Sequence, residues 1–123
     1  MTVPLQTATP VAVAGTVGSL ALFLALTAHI AARNVLGDVP VQNALGVGIL
    51  PAVFASLPQA IGLNPSVAIA GAVLVDGAAI KLLYGRDWKL SAYITLIHAV
   101  VSVILGTVVV SLALLLLSAP GGG

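Results

Sequence analysis

The chain has 123 residues, 60% of them hydrophobic and 6% charged, with four basic and three acidic side chains and no cysteine, and its mean hydropathy is +1.23. A soluble domain carries about 25% charged residues, and so few charges cannot cover the exterior of a globule this size, so the expected solvent around most of the chain is lipid. The missing cysteines exclude disulfides, thiolate metal sites, iron–sulfur clusters and cysteine nucleophiles.

The expected fold class is all-α: an integral membrane bundle of four transmembrane helices in one domain spanning residues 1–123, its second helix kinked by proline and both termini extracellular. Crossing roughly 30 Å of hydrocarbon takes about 20 apolar residues. The first candidate runs from Val11 to Ala32 and is stopped by Arg33, Gly37 and Pro40. No basic residue precedes it in Met1 to Pro10, so the positive region of a secretory signal is missing and the helix is expected to be retained.

The second candidate, 43–62, is apolar but carries Pro51, Pro58 and Gln59. Proline removes a helical hydrogen bond and kinks the helix, which transmembrane helices tolerate when neighbours satisfy the freed carbonyl. The segment either spans or dips in and returns, and charge decides between these. If it spans, Arg33, Lys81, Arg86 and Lys89 all fall on one side, as the cytoplasmic excess of Lys and Arg requires; if it re-enters, Lys81 to Lys89 fall opposite Arg33. The reading adopted is four spans, with loops Arg33 to Gln42 and Gly85 to Lys89 in the cytoplasm. The proline pair also marks a candidate broken helix at a substrate site, as in some transporters.

The third candidate is Pro65 to Tyr84, because Asn64 suits an N-cap, Pro65 a first helical position and Gly85 an exit. The fourth, Leu90 to Leu117, is uncharged and longer than the bilayer, and residues 118–123 read as a disordered tail. Tyr84, Trp88 and Tyr93 flank the second loop as an interfacial belt, anchored further by Arg33, Lys81, Arg86 and Lys89.

Lipid tails give helices no hydrophobic reason to associate, so packing seams are expected at small residues. The stripes at three-and-four spacing are Ala14, Gly18, Ala21, Ala25, His29; then Ala44, Gly48, Ala52, Ala55, Gln59; then Ala68, Ala72, Asp76, Ala79; and finally Ser91, Thr95, His98, Ser102, Gly106. His29, Gln59, Asp76 and His98 lie on them, which aims polar groups at the bundle interior. Asp76 is eight residues before Tyr84 and His98 nine after Lys89, so both sit roughly 12–13 Å inside the cytoplasmic end and are candidates for a direct pair.

A carboxylate at membrane depth costs at least about 2.5–3.5 kcal/mol. Asp76 is therefore either a proton or cation site or a buried partner of His98 that fixes helix register. For His98, with Thr95 and Ser102 on its face, the alternatives are an interhelical hydrogen bond and a proton relay or ligand role. His29, one turn from Arg33, reads as a solvated or headgroup contact. Bis-histidine haem ligation is disfavoured because the two histidines differ in depth by about 7 Å. No helical pair has metal-ligand spacing, so no metal and no cofactor is expected, and the basic residues are too few for nucleic acid and suit anionic headgroups.

The stretch Ala32-Arg33-Asn34-Val35-Leu36-Gly37-Asp38-Val39-Pro40, then Asp76 with Lys81 to Tyr84, and Thr95-Leu96-Ile97-His98 followed by Val101-Ser102-Val103 resemble small, uncharacterised four-helix membrane proteins of haloarchaea. The Ala and Val bias is similar. The resemblance implies a multi-pass place in an archaeal plasma membrane and brings no activity or site residue with it.

Two functions compete. No loop is longer than Arg33 to Gln42, which leaves no room for a soluble domain and favours an accessory or structural subunit packing against copies of itself or another membrane protein. The alternative is a small homo-oligomeric transporter or channel in which Asp76 and His98 handle a proton or cation. No nucleophile–base pair suggests an enzyme.

Overall fold

The computed structural model describes residues 9–62 and 64–119, with the side chains of 56–61 excepted. It is all-α. Helix α1 is Pro10–Leu36, α2 Val41–Ile61, α3 Pro65–Tyr84 and α4 Trp88–Ser118. At about 1.5 Å per residue they measure roughly 40, 31, 30 and 46 Å.

Local chemistry sets most of these ends. Thr9 caps α1 by accepting from Ala12 N at 3.1 Å, with Pro10 at the position where a missing N–H costs nothing. Asn64 does the same for α3, accepting from Ser66 N at 2.8 Å, again ahead of a proline. The helices leave through Gly37 (φ 84°) and Gly85 (φ 64°), whose N–H groups donate to Arg33 O and Lys81 O, both at 3.0 Å. A side chain would be strained at either glycine.

Two boundaries depart from the sequence reading. Helix α1 continues past Ala32 through Arg33 to Leu36, because an arginine at a helix C-terminus is compatible with the dipole and only Gly37 turns the chain. Helix α4 starts at Trp88, since Asp87 caps it by accepting from Leu90 N at 2.9 Å, and it takes in Ser118. Ser118 is thus helical and not tail; residues 120–123 and 1–8 lie outside the described ones. Helix α2 runs unbroken through Pro51 and Pro58.

The three connections are short, which makes sequence neighbours antiparallel. Each helix packs on two others in the ring order α1, α2, α3, α4, with α4 closing on α1. The closest seam is α1 against α2. A Cβ on Gly48 would stand 2.5 Å from Ala25 N and nearer still to the Ala21 carbonyl oxygen, so only glycine lets these backbones meet.

Buried apolar side chains gather toward the end that carries the 37–40 and 85–87 loops: Ala28, Ala31, Ala44, Val47, Ala79, Ile80 and Ile94, flanked by Val35, Leu36, Tyr84, Leu90 and Ile97. Away from that end the described surface is largely apolar and exposed, and α4 is exposed at every residue from Thr107 to Ser118. Three helices, α1, α3 and α4, are long and apolar enough to cross a membrane; the apolar stretch of α2 with described side chains is Val41–Ala55.

Candidate functional site

Inside the bundle α3 presents Asp76 beside Ala79 and Ile80, and α4 presents Ser91, Ile94 and His98 along one buried row. His98 is 2% exposed and Asp76 7%. His98 Nδ1 lies 2.6 Å from Asp76 Oδ2. The other ring nitrogen, Nε2, reaches α1, lying 3.1 Å from Leu24 O and 2.9 Å from Thr27 Oγ1. Ser102 Oγ donates to Thr27 Oγ1 at 2.8 Å, and Thr27 Oγ1 donates to Leu24 O at 3.1 Å. One imidazole therefore ties three helices together.

The partners fix the proton pattern. A carbonyl only accepts, so Nε2 beside Leu24 O carries the hydrogen. The Thr27 hydroxyl, with two lone pairs and one proton, accepts from Ser102 and His98 and donates to Leu24 O. On the other side a single hydrogen bond joins Nδ1 to Asp76 Oδ2. Asp76 Oδ1 is buried and, among the described residues, has no hydrogen-bond partner.

Of the other singled-out residues, Ser102 belongs to this network and Thr95 does not. Thr95 Oγ1 donates within its own helix to Ser91 O at 2.7 Å. His29 is half-buried and takes no part in the hydrogen bonds of His98; its Nδ1 is buried without a partner among the described residues. Thr27 was not among the sequence candidates. It lies nine residues before Leu36, about 13.5 Å from that helix end, so the depth arithmetic that paired Asp76 with His98 also selects it.

Pro51 is buried, while the side chains of Pro58 and Gln59 lie outside the described residues. Arg33 and Asp38 form an exposed ion pair at 3.8 Å, of little weight for stability. Lys81 Nζ lies 4.9 Å from the Trp88 ring centre and donates to Arg86 O at 3.4 Å. Trp88, Tyr93, Arg86 and Lys89 are exposed. Tyr84, the last residue of α3, is half-buried against the core, and its hydroxyl is buried with no partner among the described residues. Among the described residues no three His, Cys, Asp or Glu converge as a metal site would require.

The arrangement defines an all-α protein of four helices, three of them able to cross a membrane, fastened internally by an Asp–His–Thr–Ser cluster. The chain belongs to a family of unknown function, DUF7473, whose match takes in residues 7–120. No curated protein and no solved structure matches it.

Proposed function

We propose that this protein is a non-enzymatic, multi-pass subunit of the plasma membrane whose four helices all span the bilayer, and whose buried polar cluster is a structural clasp. The observation that carries this reading is His98: both ring nitrogens are engaged, to two different helices, at 2% exposure. A transport site needs groups that water or an ion can reach, whereas these are spent on holding α1, α3 and α4 at one level. In the proposed topology both termini face outward, α2 bends at its prolines, and Arg33, Lys81, Arg86 and Lys89 face the cytoplasm. The antiparallel ring supports this topology by gathering all four cations at one end of the bundle. Partners are lipid and a second membrane chain or further copies, and the membrane is an archaeal one, as the resemblance of the sequence motifs implies.

The experiment is Asp76→Asn and His98→Ala in the full chain, reconstituted in proteoliposomes and in parallel weighed as a native complex in its own lipids. The clasp reading expects weaker assembly and no ion or proton flux attributable to Asp76. One observation favours a second reading, a proton- or cation-linked transporter: Asp76 Oδ1 is buried and unpartnered among the described residues. Flux that Asp76→Asn abolishes while assembly stays intact would establish that reading and remove the first.

A further inference from the structure

Between α3 and α4 on the outer face of the bundle lies a groove of about 430 Å³, within the ~300–1,000 Å³ range of ligand pockets. It exists because Gly77 and Ala78 on α3 and Ala92 on α4 put almost no side chain where larger neighbours, Leu74, Leu96 and Trp88, form walls. Its lining is almost wholly apolar. One end opens at the 85–87 connection: the groove-lining Ser91 donates to Arg86 O at 3.4 Å, and Trp88, 72% exposed, stands at the mouth under Lys81.

The charges continue the walls. Lys81 follows Gly77 and Ala78 by four and three residues, one turn further along the same face of α3. Lys89 precedes Ala92 by three residues and Leu96 by seven, on the matching face of α4. Arg86 lies between them in the connection. Three cations meet one acid there, and Asp87 is turned toward the helix start it caps. An apolar slot ending in a basic mouth with an exposed tryptophan is complementary to one class of molecule.

We infer that the α3–α4 groove binds one hydrocarbon chain of an anionic phospholipid, with the lipid phosphate among Lys81, Arg86 and Lys89. The inference rests on the chain lying in a bilayer and is independent of whether the clasp or the transport reading holds. Amphipathic lysine and arginine stems suit a headgroup at this level, and each basic residue near an anionic surface strengthens binding roughly fivefold.

Trp88 is the only tryptophan of the chain, so its fluorescence reports the groove directly. The full-length protein is placed in phosphatidylcholine vesicles containing increasing fractions of chain-brominated phosphatidylglycerol, or of chain-brominated phosphatidylcholine as control, with insertion checked by flotation. Stronger quenching by the anionic lipid, saturating at a low mole fraction, is expected. The K81Q/R86Q/K89Q variant should abolish that preference, losing roughly fivefold per residue. Ala78→Leu and Ala92→Leu change no charge but fill the slot, and each should bring the preference close to unity. Equal quenching by both lipids in the wild type overturns the proposal while leaving the membrane reading standing. So does a preference that survives both filling variants, because the cations would then act through surface potential alone. Trp88 unquenched in an inserted protein that weighs as a dimer assigns the groove to a second copy. Failure to float with the vesicles removes the membrane reading and this inference together.

Discussion

Replacing His98 by alanine should be the most damaging single change in the buried cluster. The substitution removes the partner of Asp76 Oδ2 at 2.6 Å and the imidazole contacts to Leu24 O and Thr27 Oγ1 of α1, while Ser102 keeps its bond to Thr27. Interhelical hydrogen bonds in bilayers average only about 0.6 kcal/mol and reach about 1.7, so the α1 contacts contribute a modest share. The larger cost lies in Asp76, whose Oδ1 is already unpartnered; stranding a buried charge in this way costs about 3–5 kcal/mol. Asp76→Ala removes the group that would be stranded and should cost less, about 1–3 kcal/mol. The double variant D76A/H98A should therefore be more stable than the two single losses added together, with a coupling of about 2 kcal/mol or more. Equilibrium unfolding in mixed micelles of rising dodecyl sulfate content, followed by helical circular dichroism, supplies the four free energies. Additivity within about 0.5 kcal/mol would mean that the two residues act independently, and the clasp argument would fail.

Other expectations follow from single contacts. Thr27→Val keeps the shape but deprives Ser102 of its acceptor, at about 1–2 kcal/mol, whereas Thr95→Val, which loses only a bond to its own helix, should stay within about 0.5 kcal/mol; the same unfolding assay compares them. Gly48→Ala meets the α1 backbone and should cost about 3 kcal/mol, the upper end for overpacking, while Gly15→Ala faces open space and should raise stability by about 0.5–1 kcal/mol through helix propensity.

The existence of the four helices was legible because each is a long apolar run closed by glycine, proline or a capping residue. The fourth stripe, from Ser91 through Thr95, His98 and Ser102 to Gly106, is the inward side of α4, since that helix has neighbours on one side and a single narrow seam describes it. Helix α1 differs. It faces α2 through Ala21 and Ala25 and α4 through Leu24 and Thr27, so its covered arc is too wide for one stripe, and the row that ends at His29 does not contain Thr27. Spacing along a helix identifies a face; which neighbour that face meets depends on ring order, and periodicity carries no information about that. The α3–α4 groove was hidden for a related reason: it consists of missing side chains on two helices, and each set of small residues alone looks like ordinary seam.

The clasp joins the last helix to the first and third, with 22 residues separating Asp76 from His98. During synthesis the carboxylate therefore emerges well before the imidazole that neutralises it. At about 5–20 residues per second the gap lasts roughly one to four seconds, during which, in the proposed four-span topology, α3 carries an uncompensated charge costing about 2.5–3.5 kcal/mol. Helix α3 on its own is thus a reluctant insert, and α4, fully uncharged beyond Lys89 and joined to it by three residues, is the element able to draw it in. The order of residues along the chain makes α3 and α4 a unit of biogenesis in that topology, and the clasp closes only when α4 arrives.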